Sequence, residues 1–134
     1  MLKIEHLTKV YSNGKKAVDD LSLMVETGDI YGFIGANGAG KTSTIKSIVG
    51  IHDFDKGEIY ICGHSIRKEP LLCKKKMAFL PDNPDLYKNL TARQFLDFVA
   101  DIYRVSMEKR QAAIEKYSKM FELDTSLDQL ISAY

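Results

Sequence analysis

The stretch "GANGAGKTST", residues 35–44, decides how this chain is read. It holds Gly35, Gly40, Lys41 and Thr42 at the spacing G-x-x-x-x-G-K-[ST]. Glycines in such a loop let successive backbone N–H groups turn inward around a chain of phosphates, which makes Asn37, Gly38, Ala39 and Gly40 candidate wall residues. A helix starting near Lys41 adds its positive dipole end at the same place. Lys41 sets a compact cation on the terminal phosphates, and Ser43 is placed to reach the first one. Thr42 offers a hydroxyl to Mg²⁺, which prefers oxygen ligands. With glycine at about 7% of average sequences, a chance match in a chain of this size has a probability on the order of one in a hundred. The bland alternative is a glycine-rich turn between a strand and a helix.

The flanks supply the context the motif needs. Before it, "DIYGFIG" (29–35) is a short apolar run of the buried-strand type. After it, residues 41–49 read as a helix with Ile45, Ile48 and Val49 inward and Gly50 as its stop. Towards the N-terminus, "LKIEHLTKVY" and "DDLSLMVETG" alternate as strands, the second with Leu21, Leu23 and Val25 on one face and Asp20, Ser22 and Met24 on the other. "SNGK" between them reads as a turn, with Asn13-Gly14 supplying positive φ angles. Beyond the helix, "GEIYICG" reads as a strand and "MAFLP" as a short buried one.

After Pro84 the pattern turns helical. "TARQ" is a capping box, Thr91 with Gln94, followed by Phe95, Val99, Ile102 and Tyr103 at helical spacing. A second helix is expected over 107–121, capped by Ser106, with Ile114, Tyr117 and Phe121 inward; these aromatics read as core. The predicted organisation is an α/β core over residues 1–84 and a helical segment over 85–134.

Composition narrows the classes. The chain has 134 residues, 45% of them hydrophobic, and a formal net charge of +1, so no strong field draws it to nucleic acid or anionic membrane. "KKK" at 74–76 is the only dense basic run and reads as a solvated face. Cys62 and Cys73 fit no CxxC spacing and read as reduced thiols of a cytosolic protein. The N-terminus has no apolar core of a signal peptide, and no apolar run approaches the roughly 20 residues of a membrane span. A membrane role would have to come through a partner.

Which phosphate-loop protein this is follows from an ordered set of segments. "IEHLTKVYSNGKKAVDDLSLMVETGDIYGFIGANGAGKTSTIKSIVGI", "DKGEIYICG" and "FLPDNPDLYKNLTARQFL" together resemble the opening of an ATP-binding cassette protein, the nucleotide-binding subunit of membrane transporters. The resemblance covers almost the whole chain. It implies a P-loop NTPase core with an N-terminal antiparallel β subdomain and the start of a helical subdomain, an incomplete α/β domain. It implies ATP and Mg²⁺ as cofactors, with transmembrane permease subunits and a second nucleotide-binding subunit as partners. The implied location is cytoplasmic, at the inner face of the cell membrane.

Residue by residue, the resemblance places Tyr11 where an aromatic stacks on adenine, with Val18 as an apolar shelf beside the ring. Read alone, Tyr11 is as well explained as a half-packed strand-end residue. The family usually has Gln after "LP", touching Mg²⁺ and the attacking water; this chain has Asp82. An aspartate could meet Mg²⁺ through a water, or be a loop carboxylate with no metal role. The segment from Asp82 to Tyr103 would face the membrane partner. A GTPase should show N-K-x-D after the loop, and none occurs. A small-molecule kinase would leave Tyr11 and the early strands unexplained.

Hydrolysis needs more than a cradle. An apolar strand ending in Asp and followed by Glu, a glycine-rich signature, and a later His are expected of the family, and this sequence does not contain them. His6, His52 and His64 fall too early and read as ordinary surface or core histidines. No catalytic residue is therefore assigned, and the chain is expected to be a nucleotide-binding piece, cut before the signature, that does not turn over ATP alone. Transport in the export direction is the expectation for the whole protein. A soluble ribosome-associated cassette protein and a non-catalytic truncated binding module are the alternatives.

Overall fold

The structure, a computed structural model, describes residues 1–82, 84 and 86–134. The chain divides into two compact units, Met1–Leu80 and Pro81–Tyr134.

The first unit is built on a sheet of β1 (Leu2–Val10), β2 (Lys16–Val25), β3 (Lys56–Ile61) and β4 (His64–Ser65). The strand order is β2-β1-β3-β4, and every pairing is antiparallel. β1 and β2 start in a simple register, Leu2 opposite Val25 and Ile4 opposite Leu23. The register then slips, because His6 and Asp20 both take positive φ (52° and 53°). This bulge is held by His6 Nδ1 and Asp20 Oδ1 at 2.7 Å and by the His6 N–H donating to Ser22 Oγ at 2.9 Å. It turns Leu7 back to the face already used by Ile4, three positions apart rather than two, so both are buried. The bulge presses on Gly57 of β3, whose φ is 90° and where an added Cβ would overlap the carbonyl oxygens of Glu5 and His6. His6 is thus a bulge residue.

On one face of the sheet Ile4, Leu7, Val18, Ile59 and Ile61 join Phe54, Ile66 and Cys73 in the core. Leu21 and Leu23 pack at its edge, while Asp20, Ser22 and Met24 are exposed, which is the alternation expected of β2. The turn between β1 and β2 uses positive φ only at Gly14 (79°); Asn13 instead accepts the Lys15 N–H on its side chain at 3.0 Å. β3 and β4 are joined by Cys62 and Gly63, both at positive φ (49° and 85°), the twist that suits a two-residue hairpin. α2 (Pro70–Lys74) then buries Cys73, whose thiol donates to the His64 carbonyl at 3.2 Å and is pushed up in pKa by that burial. Neither β4 nor α2 is anticipated from the sequence.

α1 (Lys41–Ile48) closes in a Schellman motif, Gly50 N–H to Ser47 O at 3.1 Å and Ile51 N–H to Lys46 O at 2.9 Å. Its buried face is Ser43, Thr44 and Ser47. Ile45, expected inward, is exposed, and Ile48 alone of the expected stripe packs against the core. Two expected strands are also corrected. Among the described residues no ladder forms over 29–35 or 77–81. Ile30, Ile34 and Leu80 are exposed, and none of the described strands pairs with either run.

In the second unit α3 (Ala92–Ile102) starts at the expected capping box, with Gln94 N–H to Thr91 Oγ1 at 3.1 Å and Thr91 N–H to Gln94 Oε1 at 2.9 Å. α4 (Met107–Met120) starts after Ser106, whose side chain makes no cap bond. Arg110 ties α4 to α3 through Asp97, at 3.2 Å, and Asp101. A 3₁₀ turn at Ile131–Ala133 returns to the start of α3, with Ile131 N–H on the Leu90 carbonyl at 2.9 Å and Arg93 on Asp128 at 2.8 Å. Phe95, Ile114, Tyr117, Phe121 and Leu127 line an apolar groove of about 640 Å³ rather than a sealed core. Ile102 and Tyr103, expected inward, are exposed. No helix among the described residues is long and apolar enough to cross a membrane.

Candidate phosphate-binding site

The loop between residue 35 and α1 is wedged against β2. Gly40 has φ 94°, and an added Cβ there would overlap the Ala17 carbonyl oxygen and lie 3.6 Å from Val18 Cγ2. Only glycine allows both that angle and that approach. Within the loop the Ala39 N–H donates to the Ala36 carbonyl at 3.2 Å. The first turn of α1 is secured by Thr44, whose N–H and hydroxyl both donate to Gly40 O, at 2.8 and 3.0 Å.

Among the described residues, the N–H groups of Gly38, Gly40, Lys41, Thr42 and Ser43 find no acceptor. The first turn of α1 carries no acidic side chain. Open donors and the positive end of α1 therefore fall together in one short stretch, residues 38–43, which is the chemistry of an anion seat. Lys41 folds back on the loop, its ammonium donating to Ala36 O at 2.7 Å and to Gly35 O. Carbonyl oxygens are weaker partners for a cation than phosphate oxygens, so an entering phosphate would draw the ammonium over. Thr42 is exposed beside this seat and offers an oxygen ligand of the kind Mg²⁺ takes. The donor set fits a phosphate chain with its metal.

Tyr11 follows β1 directly, its N–H donating to Lys15 O at 2.9 Å. Its hydroxyl lies 2.9 Å from Ser43 Oγ. The ring stands edge-on to His52, centroids 6.1 Å apart at 87°, with Lys9 Nζ at 5.7 Å from its centroid. Val18 is buried, part of the core and turned towards Gly40. The fold thus brings together Tyr11, Val18 and the start of α1, which are far apart in sequence. No spacing in the sequence marks His52 or Lys9 for this place; the contact exists only in three dimensions. His64 pairs with Glu69 at 3.2 Å. Asp82 is exposed and belongs to the second unit. No cluster of three or more metal-type side chains forms among the described residues.

Comparison with known proteins identifies the family. The sequence pattern of the ABC transporter family matches residues 18–134. An uncharacterised ABC transporter ATP-binding protein of Bacillus subtilis, YhcH, is 38% identical over 116 residues, covering 86% of this chain and 38% of that protein. The SkfA peptide export ATP-binding protein SkfE of the same organism is 34% identical over 130 residues, covering 97% of this chain and 53% of that protein. A solved ATP-binding subunit of an ABC transporter superposes with a TM-score of 0.90 at 28% identity, covering all of this chain and 55% of that one. The chain thus spans about half the length, or less, of these relatives. The fold is that of the P-loop ATPase domain of such subunits, and the chain belongs to the ABC transporter family of ATP-binding proteins.

Proposed function

We propose that the whole protein is the ATP-binding subunit of a transporter, coupling ATP binding and hydrolysis to movement of cargo across a membrane, in the export direction. The observation that carries this reading is the seat of open N–H groups around Lys41 at the start of α1. In it, residues 37–40 wrap the phosphates, Lys41 holds the terminal ones, Ser43 the first, and Thr42 binds Mg²⁺. Mg²⁺, when bound, neutralises charge that develops between the terminal phosphates. Tyr11 stacks on the base above a floor that includes Val18. Asp82 supports a water-mediated Mg²⁺ contact, and Asp82→Ala leaving Mg²⁺ dependence unchanged would make it a loop carboxylate instead.

Residues 1–84 form the ATP-binding core in this reading, and 85–134 the helical part. Export is supported by the likeness to the peptide export protein. Permease subunits would dock on the segment from Asp82 to Tyr103, where Phe98, Ile102 and Tyr103 are exposed; Asn83 and Asp85 lie outside the described residues. A second nucleotide-binding subunit would complete the site, at the cytoplasmic face of the membrane. These residues hold ATP without turning it over.

The test is displacement of a fluorescent ATP analogue by Mg·ATP. Thr42→Ala should lose the Mg²⁺-dependent part of the affinity. Tyr11→Ala should weaken ATP, while Tyr11→Trp should preserve it. If Tyr11→Ala folds and binds as the parent does, Tyr11 is a packing residue.

A further inference from the structure

We propose that α2 and the lysines at its two ends form a surface that rests on an anionic lipid bilayer. The inference stands apart from the nucleotide reading and does not need it. The chain as a whole is nearly neutral, with a formal net charge of +1, but the charge is unevenly spread. From Arg67 to Lys76, "RKEPLLCKKK" carries five cations and one acid. That acid, Glu69, lies 3.2 Å from His64 Nδ1. Arg67 is engaged elsewhere, its guanidinium over the Phe54 ring at 4.0 Å and donating to the Phe54 carbonyl. Lys74 shares a recess with Asp53 and Asp55. Lys68, Lys75 and Lys76 remain. All three are exposed, and none joins an ion pair among the described residues.

Cys73 fixes which way α2 faces. Its side chain is in the core, so the positions two residues away on either side, Leu71 and Lys75, turn outward. Leu71 is 74% exposed and Leu72 41%. Lys75 follows Leu71 by one turn, its N–H donating to the Leu71 carbonyl at 3.2 Å, so a lysine stands beside a leucine at the surface. That pairing selects the partner. A nucleic-acid backbone would satisfy the lysines and leave the leucines in water. Two leucines on a five-residue helix also offer far less than the roughly 800 Å² per partner of a specific protein interface. A bilayer with anionic headgroups needs no shape match and takes both: the leucines enter the interface while the lysines stay at the phosphates. With three lysines and two leucines the contact orients the protein; stable attachment takes a second signal.

Co-sedimentation of the chain with excess lipid vesicles at low salt tests this. Vesicles containing phosphatidylserine should bind the parent, and vesicles of phosphatidylcholine alone should bind it at least about tenfold more weakly. Each lysine near an anionic surface adds about fivefold, so Lys75→Gln with Lys76→Gln should weaken binding to the phosphatidylserine vesicles by about thirtyfold. Leu71→Ser with Leu72→Ser should weaken it by about tenfold. Added salt should cost the parent more than the lysine variant. Ile30→Ser with Ile34→Ser should bind as the parent does; a loss there would move the contact to the exposed run before the loop and overturn the proposal. Absent binding, equal binding to the two kinds of vesicle, or a lysine variant that binds as the parent does also overturns it. So does an unchanged leucine variant, which would leave a bare cationic patch suited to a nucleic acid or an acidic protein. Equal melting temperatures of the parent and the variants exclude unfolding as a cause.

Discussion

Two apolar stretches of the first unit, "GEIYI" in β3 and "DIYGFI" before the loop, look alike in sequence and end in opposite surroundings. Ile59 of the first is 0% exposed, while Ile34 of the second is 93% exposed. β3 has a neighbour on each side, β1 and β4, and both are supplied by this chain. The run before the loop has no partner among the described residues. An apolar run thus states that a segment needs burial; it does not state where the partner is. Antiparallel partners come from hairpins close by, whereas a strand of the parallel type waits for crossover neighbours from elsewhere. The consequence reaches the site, because the loop hangs from the unpaired run at one end and is wedged on β2 by Gly40 at the other.

Substitutions in the two runs should differ most at β3. Ile59→Ala should destabilise the first unit by about 4 kcal/mol, the range of a fully buried large-to-small change, while Ile34→Ala should stay within about 0.5 kcal/mol. Thermal and denaturant unfolding would read both; similar losses would mean that the run at 29–35 is packed in solution. Gly57→Ala should cost about 3 kcal/mol, since it adds overlap with the bulge to an unfavourable φ. Gly63→Ala has the unfavourable φ with open space around it and should cost about 1 kcal/mol. If the two cost the same, the bulge does not press on β3.

A smaller effect separates association from stability. Ile30→Ser with Ile34→Ser should leave the melting temperature nearly unchanged and reduce self-association in analytical ultracentrifugation, because exposed apolar surface is the cause of the latter. The smallest effect lies in the second unit. The Arg93 guanidinium holds the Asp128 carboxyl below its ordinary value of 3.8. The stabilisation it brings is present above that ordinary value and is lost as pH falls through the lowered one. The melting-temperature difference between parent and Asp128→Asn should therefore shrink at the acid end of a titration and stay constant near neutrality.

Features written locally were legible in the sequence. The Thr91–Gln94 capping box, the alternation of β2 and the phosphate loop each depend on residues within one turn or one strand of each other. What was not legible depends on distant pairs. The bulge joins His6 to Asp20 and to Gly57, and nothing in "IEHL" marks it. β4 is too short to show a period, and α2 too short to show a stripe. The buried face of α1 is made of serine and threonine, Ser43, Thr44 and Ser47, so apolar spacing points to Ile45 instead. At the candidate site, the loop motif is written in the sequence, Tyr11 enters as a candidate only through the family resemblance, and its bond to Ser43 is visible only in the fold.

The seat around Lys41 is the centre of the proposed ATP site. Calorimetric titration of the chain and of Lys41→Ala with Mg·ATP tests it most directly. The parent should bind, and Lys41→Ala should bind at least about tenfold more weakly, a loss of about 1.4 kcal/mol. Equal affinities, with both proteins folded, would contradict the assignment of this loop to ATP.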